Sequence, residues 1–255
     1  TSLAFTVIPR INATGRMGSP DRAVRLLTCD DPEEAQPLSQ EICEDNDRRR
    51  QVEGEIAQQA IEAIQRDPQL LYSRVIVVEG KGWHHGVIGI VASRVTERFG
   101  KPSIVISVDG EEARGSGRSV EGFSLFQAVS ACSDLLERFG GHPMAAGVTL
   151  KPENVALFRQ RINQYAAEGC PEMPAQVLRL DCRLNPGALS PEMPQSLEPL
   201  EPFGSGNPQP LFGLYSMELR EIDPVGGGNY LRLVCANKGA MLTCMYFGVK
   251  PEEFP

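Results

Sequence analysis

The chain has 255 residues, 41% of them hydrophobic and 23% charged, with a formal net charge of −8. That is an ordinary globular composition, long enough for one large or two modest domains. No apolar run approaches the roughly 18 residues of a membrane span and no signal peptide opens the chain, so the expectation is a cytoplasmic protein. The acidity excludes a domain that coats nucleic acid by bulk electrostatics and leaves room only for a local cationic groove. Seven scattered Cys, with no Cys-x-x-Cys pair, read as reduced thiols rather than a disulfide or zinc framework.

Leu3, Phe5, Val7 and Ile8 read as a strand or apolar loop continuing a preceding domain, and Arg10, Asn12, Gly15, Arg16 and Gly18 as a polar segment. Taken alone, Arg10 and Arg16 are a solvated loop. Asp21 to Leu27 is a short helix. From Pro37 to Asp67 a thin apolar stripe (Ile42, Val52, Ile56, Ala60, Ile64) in a charged context predicts one long connecting helix, with the run Asp45 to Arg50 as its solvated face.

An α/β unit follows. Arg74 to Gly80 is a buried strand, and the turn Gly82-Trp83-His84-His85-Gly86 leads into a helix reaching Phe99. Ser103 to Val108 is a second strand, Ala113 to Ser119 a third, Phe123 to Phe139 a helix, and Pro152 to about Ala167 another. The β-α-β order favours a parallel or mixed sheet under packed helices. After the linker Gly169 to Pro174, Val177 to Leu184 alternates as a strand and Pro191 to Leu200 is helical. Short strands at 211–215, 217–222, 230–235 and 241–247 suggest a small barrel.

Two stretches carry chemistry. In Gly140-Gly141-His142-Pro143-Met144-Ala145-Ala146-Gly147 a glycine pair and small residues clear space around one imidazole. Gly115-Ser116-Gly117-Arg118-Ser119 supplies hydroxyls, backbone N–H groups and a guanidinium, the parts of a phosphate site.

These two stretches, with Pro9 to Arg16, Gly82 to Arg94 and Pro202 to Pro208, resemble the RecJ family of single-stranded-DNA exonucleases in the DHH phosphoesterase superfamily, along nearly the whole chain. The resemblance implies an α/β fold with a mixed sheet and packed helices, a long connecting helix, and then a small OB-fold-like β-barrel. It assigns 1–37 to the remnant of a DHH catalytic domain, 38–68 to the connector, 69–170 to the DHH-associated domain and 175–255 to an incomplete OB-fold. It makes Ser116 and Arg118 a clamp for a terminal 5′ phosphate, with Arg10 or Arg16 reaching the same group from the other side of the cleft, and counts Asn12, Gly117 and Ser119 among the substrate-binding residues. It brings Gly140, Gly141 and His142 to the scissile phosphate, with His142 as the catalytic residue, a hydrogen-bond donor or transition-state stabiliser. Phe212, Tyr215 and Tyr230 become candidate base-stacking platforms, although aromatics in a small barrel are more often core.

The family's name-giving Asp-His-His is absent. His84 and His85 follow Trp83, and adjacent side chains diverge, so the pair is a poor clamp and no metal is assigned to this chain. Mn²⁺ or Mg²⁺ is expected in the parent enzyme, and this chain alone is expected to hold single-stranded DNA without cutting it. A role in DNA repair and recombination, docking of a single-strand-binding protein or helicase on the OB-like region, and a monomeric state away from membranes complete the expectation. The competing readings are a DHH phosphodiesterase of short oligonucleotides or cyclic dinucleotides, a non-catalytic nucleic-acid-binding scaffold, and a plain α/β protein with glycine-rich turns. A tail after Gly169 containing Pro202 to Pro208 counts against the first.

Overall fold

Valine and isoleucine fill positions 75–78 and 104–106, and all are buried. Strands that are apolar on both faces need cover on both sides. The computed structural model, which describes residues 3–175, 177–204, 206–228, 230–247 and 254, shows how that cover is supplied. The chain divides into two compact units, Thr1–Gln176 and Val177–Pro255.

The first unit runs α1 (Ile8–Met17), α2 (Asp21–Thr28), α3 (Pro32–Arg66), α4 (Pro68–Leu71), β1 (Ile76–Lys81), α5 (His85–Phe99), β2 (Ser103–Asp109), β3 (Glu112–Arg118), α6 (Leu125–Ser130), β4 (Arg138–His142), β5 (Ala145–Leu150) and α7 (Val155–Gly169). Its five strands form one mixed sheet in the order β1-β2-β3-β5-β4, with β1 and β2 parallel and every other pair antiparallel. On one face Ile76, Val78 and Val105 pack against Val87, Val91 and Val95 of α5 and Ile56, Ala60 and Ile64 of α3. On the other, Val75, Val77, Ile104 and Ile106 pack against Leu125 and Val129 of α6 and Phe158 and Ile162 of α7.

The free edge of β1 is covered by α7. The Asn163 Oδ1 accepts from the N–H groups of Arg74 and Val75, each at 2.9 Å, and its Nδ2 donates to Val75 O at 2.9 Å. Arg159 Nε donates to Val77 O at 2.8 Å. One amide thus stands in for a neighbouring strand, which blunts an edge otherwise open to mispairing.

In the first unit local structure departs from the sequence reading in four places. Leu3–Val7 is already helical and leads into α1, so Arg10, Asn12 and Arg16 lie on a helix rather than in a loop. Pro9 suits the first turn, Ala13 and Thr14 are buried, and the helix ends at Gly18, whose N–H reaches Thr14 O at 2.9 Å. The long helix starts at Pro32, ahead of Pro37, because Asp31 caps it by accepting from Glu33 N–H at 2.9 Å. Part of its charge run is not solvated. Asp45 takes Arg22 at 2.5 Å, Asn46 is buried, and beyond the run Glu53 is buried between Arg49 and Arg94 of α5. The expected helix 123–139 stops at Ser130, and its last residues turn into β4, where Phe139 and Gly140 pair with Val148 and Gly147.

In the second unit β6 (Cys182–Arg183), α8 (Met193–Ser196), β7 (Phe212–Gly213), β8 (Glu218–Val225), β9 (Tyr230–Asn237) and β10 (Ala240–Phe247) follow in order. The β6 and β7 strands pair in parallel, and β8, β9 and β10 form an antiparallel meander with a bulge between Leu219 and Glu221. Of the expected strand 177–184 only Cys182–Arg183 is paired. No helix among the described residues is long and apolar enough to cross a membrane.

Candidate functional site

The site is built along α5. Gly80 leaves room for the Trp83 ring, since a Cβ there would lie 2.2 Å from Trp83 Cε2, and the indole N–H donates to Gln59 Oε1 at 2.8 Å. With Trp83 seated, His84 caps the helix, its Nδ1 accepting from Gly86 N–H at 3.1 Å. His85 turns away to Asp109 at 2.9 Å. A Cβ on Gly86 would lie 2.2 Å from the Arg16 carbonyl oxygen, so the end of α1 rests on the start of α5. From there Arg16 Nη1 donates to Gly86 O at 3.2 Å. One turn on, a Cβ on Gly89 would lie 3.0 Å from Ser116 Oγ and 3.2 Å from Arg118 Nη2.

Alternation along β3 decides which of its residues take part. Ser116 and Arg118 face α5, and Arg118 Nη1 donates to Ser116 Oγ at 3.3 Å and to Gly117 O at 2.8 Å. Gly117 faces the opposite core, where a Cβ would lie 2.7 Å from Leu125 Cδ2. Ser119 is buried, and its hydroxyl donates to Phe123 O at 2.6 Å. Of the four residues expected to bind substrate on this stretch, the side chains of Ser116 and Arg118 come together beside α5, while Gly117 and Ser119 hold the strand's end and the turn after it.

Arg16 and Arg118 are close enough to repel. Burial first, and then the charge of Arg16, hold the Arg118 guanidinium below its ordinary pKa. Neither arginine has a carboxylate partner among the described residues, so an anion placed between them would offset their repulsion and favour both charges. Asn12 lies one turn before Arg16 on the same stripe of α1 and is exposed. Arg10 points elsewhere on that helix and donates to Thr6 O.

The second stretch joins through the sheet. Register places Ser116, Gly147 and Gly140 in one row across β3, β5 and β4, and Arg118, Ala145 and His142 in the next. Directly opposed residues share a face, so His142 looks onto the same side as Arg118, two strands and about 10 Å away. Between them the floor is glycine and alanine. The strand β4 is exposed throughout. His142 Nδ1 accepts from Met144 N–H at 3.3 Å, which leaves Nε2 carrying the proton of the neutral ring toward solvent. Gly141 is required by the hairpin: its φ is 149°, and a Cβ would lie 2.2 Å from Ala145 O. Gly140 has open space around its missing side chain.

Sequence reasoning missed Gly86 and Gly89, though two glycines inside an amphipathic helix are themselves a signal of close approach. It also missed Arg114, Thr149 and Arg138, the next row of the same face, legible by counting back in twos from Arg118 and His142. Arg114 is held by Glu112 at 2.5 Å.

The family description "DHHA1 domain" matches residues 67–168, and "RecJ OB domain" matches residues 180–254. Curated relatives named single-stranded-DNA-specific exonuclease RecJ are similar over most of the chain: 37% identical over 96% of it in Bacillus subtilis, 37% over 90% in Thermus thermophilus, and 32% over 93% in Escherichia coli. The chain belongs to the RecJ family. It spans 32%, 33% and 44% of the length of those three relatives. The crystal structure of Thermus thermophilus RecJ in complex with Mn²⁺ superposes with a TM-score of 0.80 at 34% identity, covering 95% of this chain and 35% of that one. The Mg²⁺ complex gives 0.81 at 33%, covering 100% and 39%.

Within the RecJ family frame, Ser116, Arg118 and His142 lie in the DHHA1 domain and Arg16 precedes it. The metals belong to the relatives' structures. Among the described residues of this chain no group of three or more His, Cys, Asp or Glu is gathered to hold a metal ion.

Proposed function

We propose that this chain is the substrate-holding part of a RecJ-like exonuclease that degrades single-stranded DNA from its 5′ end, acting in DNA repair and recombination. Ser116 and Arg118, with Arg16 across from them, take the terminal 5′ phosphate. The strand then lies over the Gly147 and Gly140 floor, and the His142 Nε2–H donates to a phosphate oxygen near the scissile bond. A pair of guanidiniums suits a phosphate better than ammonium groups do, because each presents a planar fork of donors. The observation that supports this reading is the proximity of Arg16 and Arg118, neither of which has a carboxylate partner among the described residues. Hydrolysis by Mn²⁺ or Mg²⁺ is assigned to a metal-binding domain outside this chain, so the chain by itself holds DNA and does not cut it. The reading extends to a cytoplasmic monomer whose OB domain docks a single-strand-binding protein or helicase.

The test is fluorescence anisotropy with an oligonucleotide carrying either a 5′ phosphate or a 5′ hydroxyl, with Mn²⁺ present and integrity checked on a gel. Arg118→Ala should remove the preference for the phosphate, a loss of about 10- to 100-fold for one charge-assisted hydrogen-bonding partner. Equal affinity for the two ends in the unmodified chain would overturn the end clamp, and cleavage by the purified chain would overturn the division of labour.

A further inference from the structure

Beside the edge strand β1, between α7 on one wall and α4 with the turn after it on the other, the first unit has a cleft of about 660 Å³. Its lining includes Gln69, Tyr72, Arg74, Arg159, Gln160 and Asn163. The volume lies in the roughly 300–1,000 Å³ range of small-molecule sites. The cleft is remote from the clamp: β2 separates β1 from β3, and α7 covers the face of the sheet opposite to α5.

Two guanidiniums here are oriented by backbone rather than by carboxylates. Arg159 Nε donates to Val77 O at 2.8 Å, which leaves its two terminal nitrogens as donors. Glu79 approaches one of them only to 3.8 Å, beyond hydrogen-bond distance. Arg74 Nη1 donates to Cys170 O at 3.1 Å and Pro171 O at 2.8 Å, and Arg74 has no carboxylate partner among the described residues. An arginine bonded to carbonyl oxygens is often no more than a clasp on the chain. What exceeds a clasp is that two of them line one cleft that no described carboxylate lines. Carbonyl oxygens fix a guanidinium without cancelling its charge, so both side chains keep donors and charge for an anion.

Tyr72 adds a planar surface. Its side chain is 79% exposed and has no ring partner among the described residues, while its N–H is tied to Pro68 O at 3.0 Å, so the backbone that carries the ring is held. The Gln69 and Gln160 side chains stand on opposite walls, and neither amide has a hydrogen-bond partner among the described residues. An amide pairs a donor with an acceptor, as the edge of a nucleobase does. Asn163, by contrast, is spent on β1 and serves as floor.

We propose that this cleft is a site for a free nucleoside monophosphate, its phosphate taken by Arg74 and Arg159 and its base laid on Tyr72. Mononucleotides are what the exonuclease proposed above releases, and the choice of ligand rests on that reading. The anion and ring contacts rest on the cleft alone.

The experiment uses the full chain carrying Arg118→Ala, so that the clamp contributes nothing, and thymidine monophosphate as the probe, read by titration calorimetry and by hydrogen exchange. The expected result is saturable binding with protection at 68–75 and 156–163. Tyr72→Ala, at an exposed position that the fold does not need, should weaken binding roughly tenfold or more, in the range of one stacked base. Arg74→Gln should weaken it roughly tenfold, as expected for one charge-assisted partner. Thymidine and inorganic phosphate should each bind more weakly than the nucleotide. Absence of binding, affinity unmoved by either variant, or protection that falls on β3 and α5 would overturn the site. Phosphate binding as tightly as the nucleotide would overturn the ligand assignment, and displacement by a 5′-hydroxyl oligothymidylate would overturn its restriction to free nucleotides. Absence of a 5′-phosphate preference in the oligonucleotide assay would sink the end clamp while leaving these readouts intact.

Discussion

Replacing Gly89 by alanine separates the fold of the DHHA1 domain from its proposed work. In an exposed helix interior the change stabilises by about 0.8–1.0 kcal/mol. Here the new methyl would sit 3.0 Å from Ser116 Oγ and 3.2 Å from Arg118 Nη2, a few tenths of an ångström inside ordinary contact. Both neighbours are side chains, and the guanidinium can swing away, so the fold should change by no more than about 1 kcal/mol in either direction. The clamp loses its shape, however. With Arg118 displaced from Ser116, one or two charge-assisted hydrogen bonds to phosphate at about 1.5–3 kcal/mol each are lost, and 5′-phosphate preference should fall 10- to 100-fold. Gly86→Ala is the control. Its methyl would meet the Arg16 carbonyl oxygen at 2.2 Å and its Cα at 3.1 Å, so helix must move against helix, at a cost of about 2–4 kcal/mol. Thermal melts and end-discriminating anisotropy on the two variants give the contrast. A Gly89→Ala protein that melts as early as Gly86→Ala, or that keeps full phosphate preference, refutes the placement of Ser116 and Arg118 against α5.

Asn163→Ala should cost about 2–4 kcal/mol in urea unfolding, because it strips the N–H and C=O of buried Val75 of their partners at the edge of β1; a loss under about 1 kcal/mol would mean that water or a neighbour replaces the amide. Burial pushes the Cys132 thiol up from 9.0 to about 11. Between those values the unfolded chain has released a proton that the folded chain still holds, so this group should lower stability as pH rises from 9 to 11, by about 2–3 kcal/mol at most, and the fall should be smaller in Cys132→Ala than in the unmodified chain.

The strands and the helix α5 were legible because their signals are local: branched apolar runs at 75–78 and 104–106, and a glycine-bracketed turn before a periodic stripe. The limits of the site were not. Gly115 to Ser119 reads as one phosphate loop, yet a strand sends alternate residues to opposite faces, so Gly117 and Ser119 go to the core side. His142 was legible as a residue with space around it, but its alignment with Arg118 depends on two strand registers that no local pattern encodes. The same holds for 131–142: the glycines that weaken a helix there are visible, while the pairing of β4 with β5 that replaces it is a long-range choice. Arg10, Asn12 and Arg16 are close in sequence, but once α1 is a helix their different angular positions let only Arg16, with Asn12 on its stripe, face the clamp.

A net charge of −8 and a DNA-binding role are compatible only if affinity is local, and this sets the last expectation. The carboxylates of α3 are engaged near home: Glu34 with Arg25, Asp45 with Arg22, Glu53 with Arg49 and Arg94. Their field still repels a polyanion within the Debye length, which is longest at low salt, and so opposes non-specific gathering of DNA. On the sheet face built by β3, β5 and β4, Arg16 with Arg118 is placed for one phosphate and Arg138 on the open edge for another. Two phosphates at about −0.7 each give a log–log salt slope of roughly −1.4 for a long single strand. Anisotropy between low and moderate salt measures it directly. A slope steeper than about −4 would require cations that this arrangement does not place, and would move the binding surface away from the sheet face built by β3, β5 and β4.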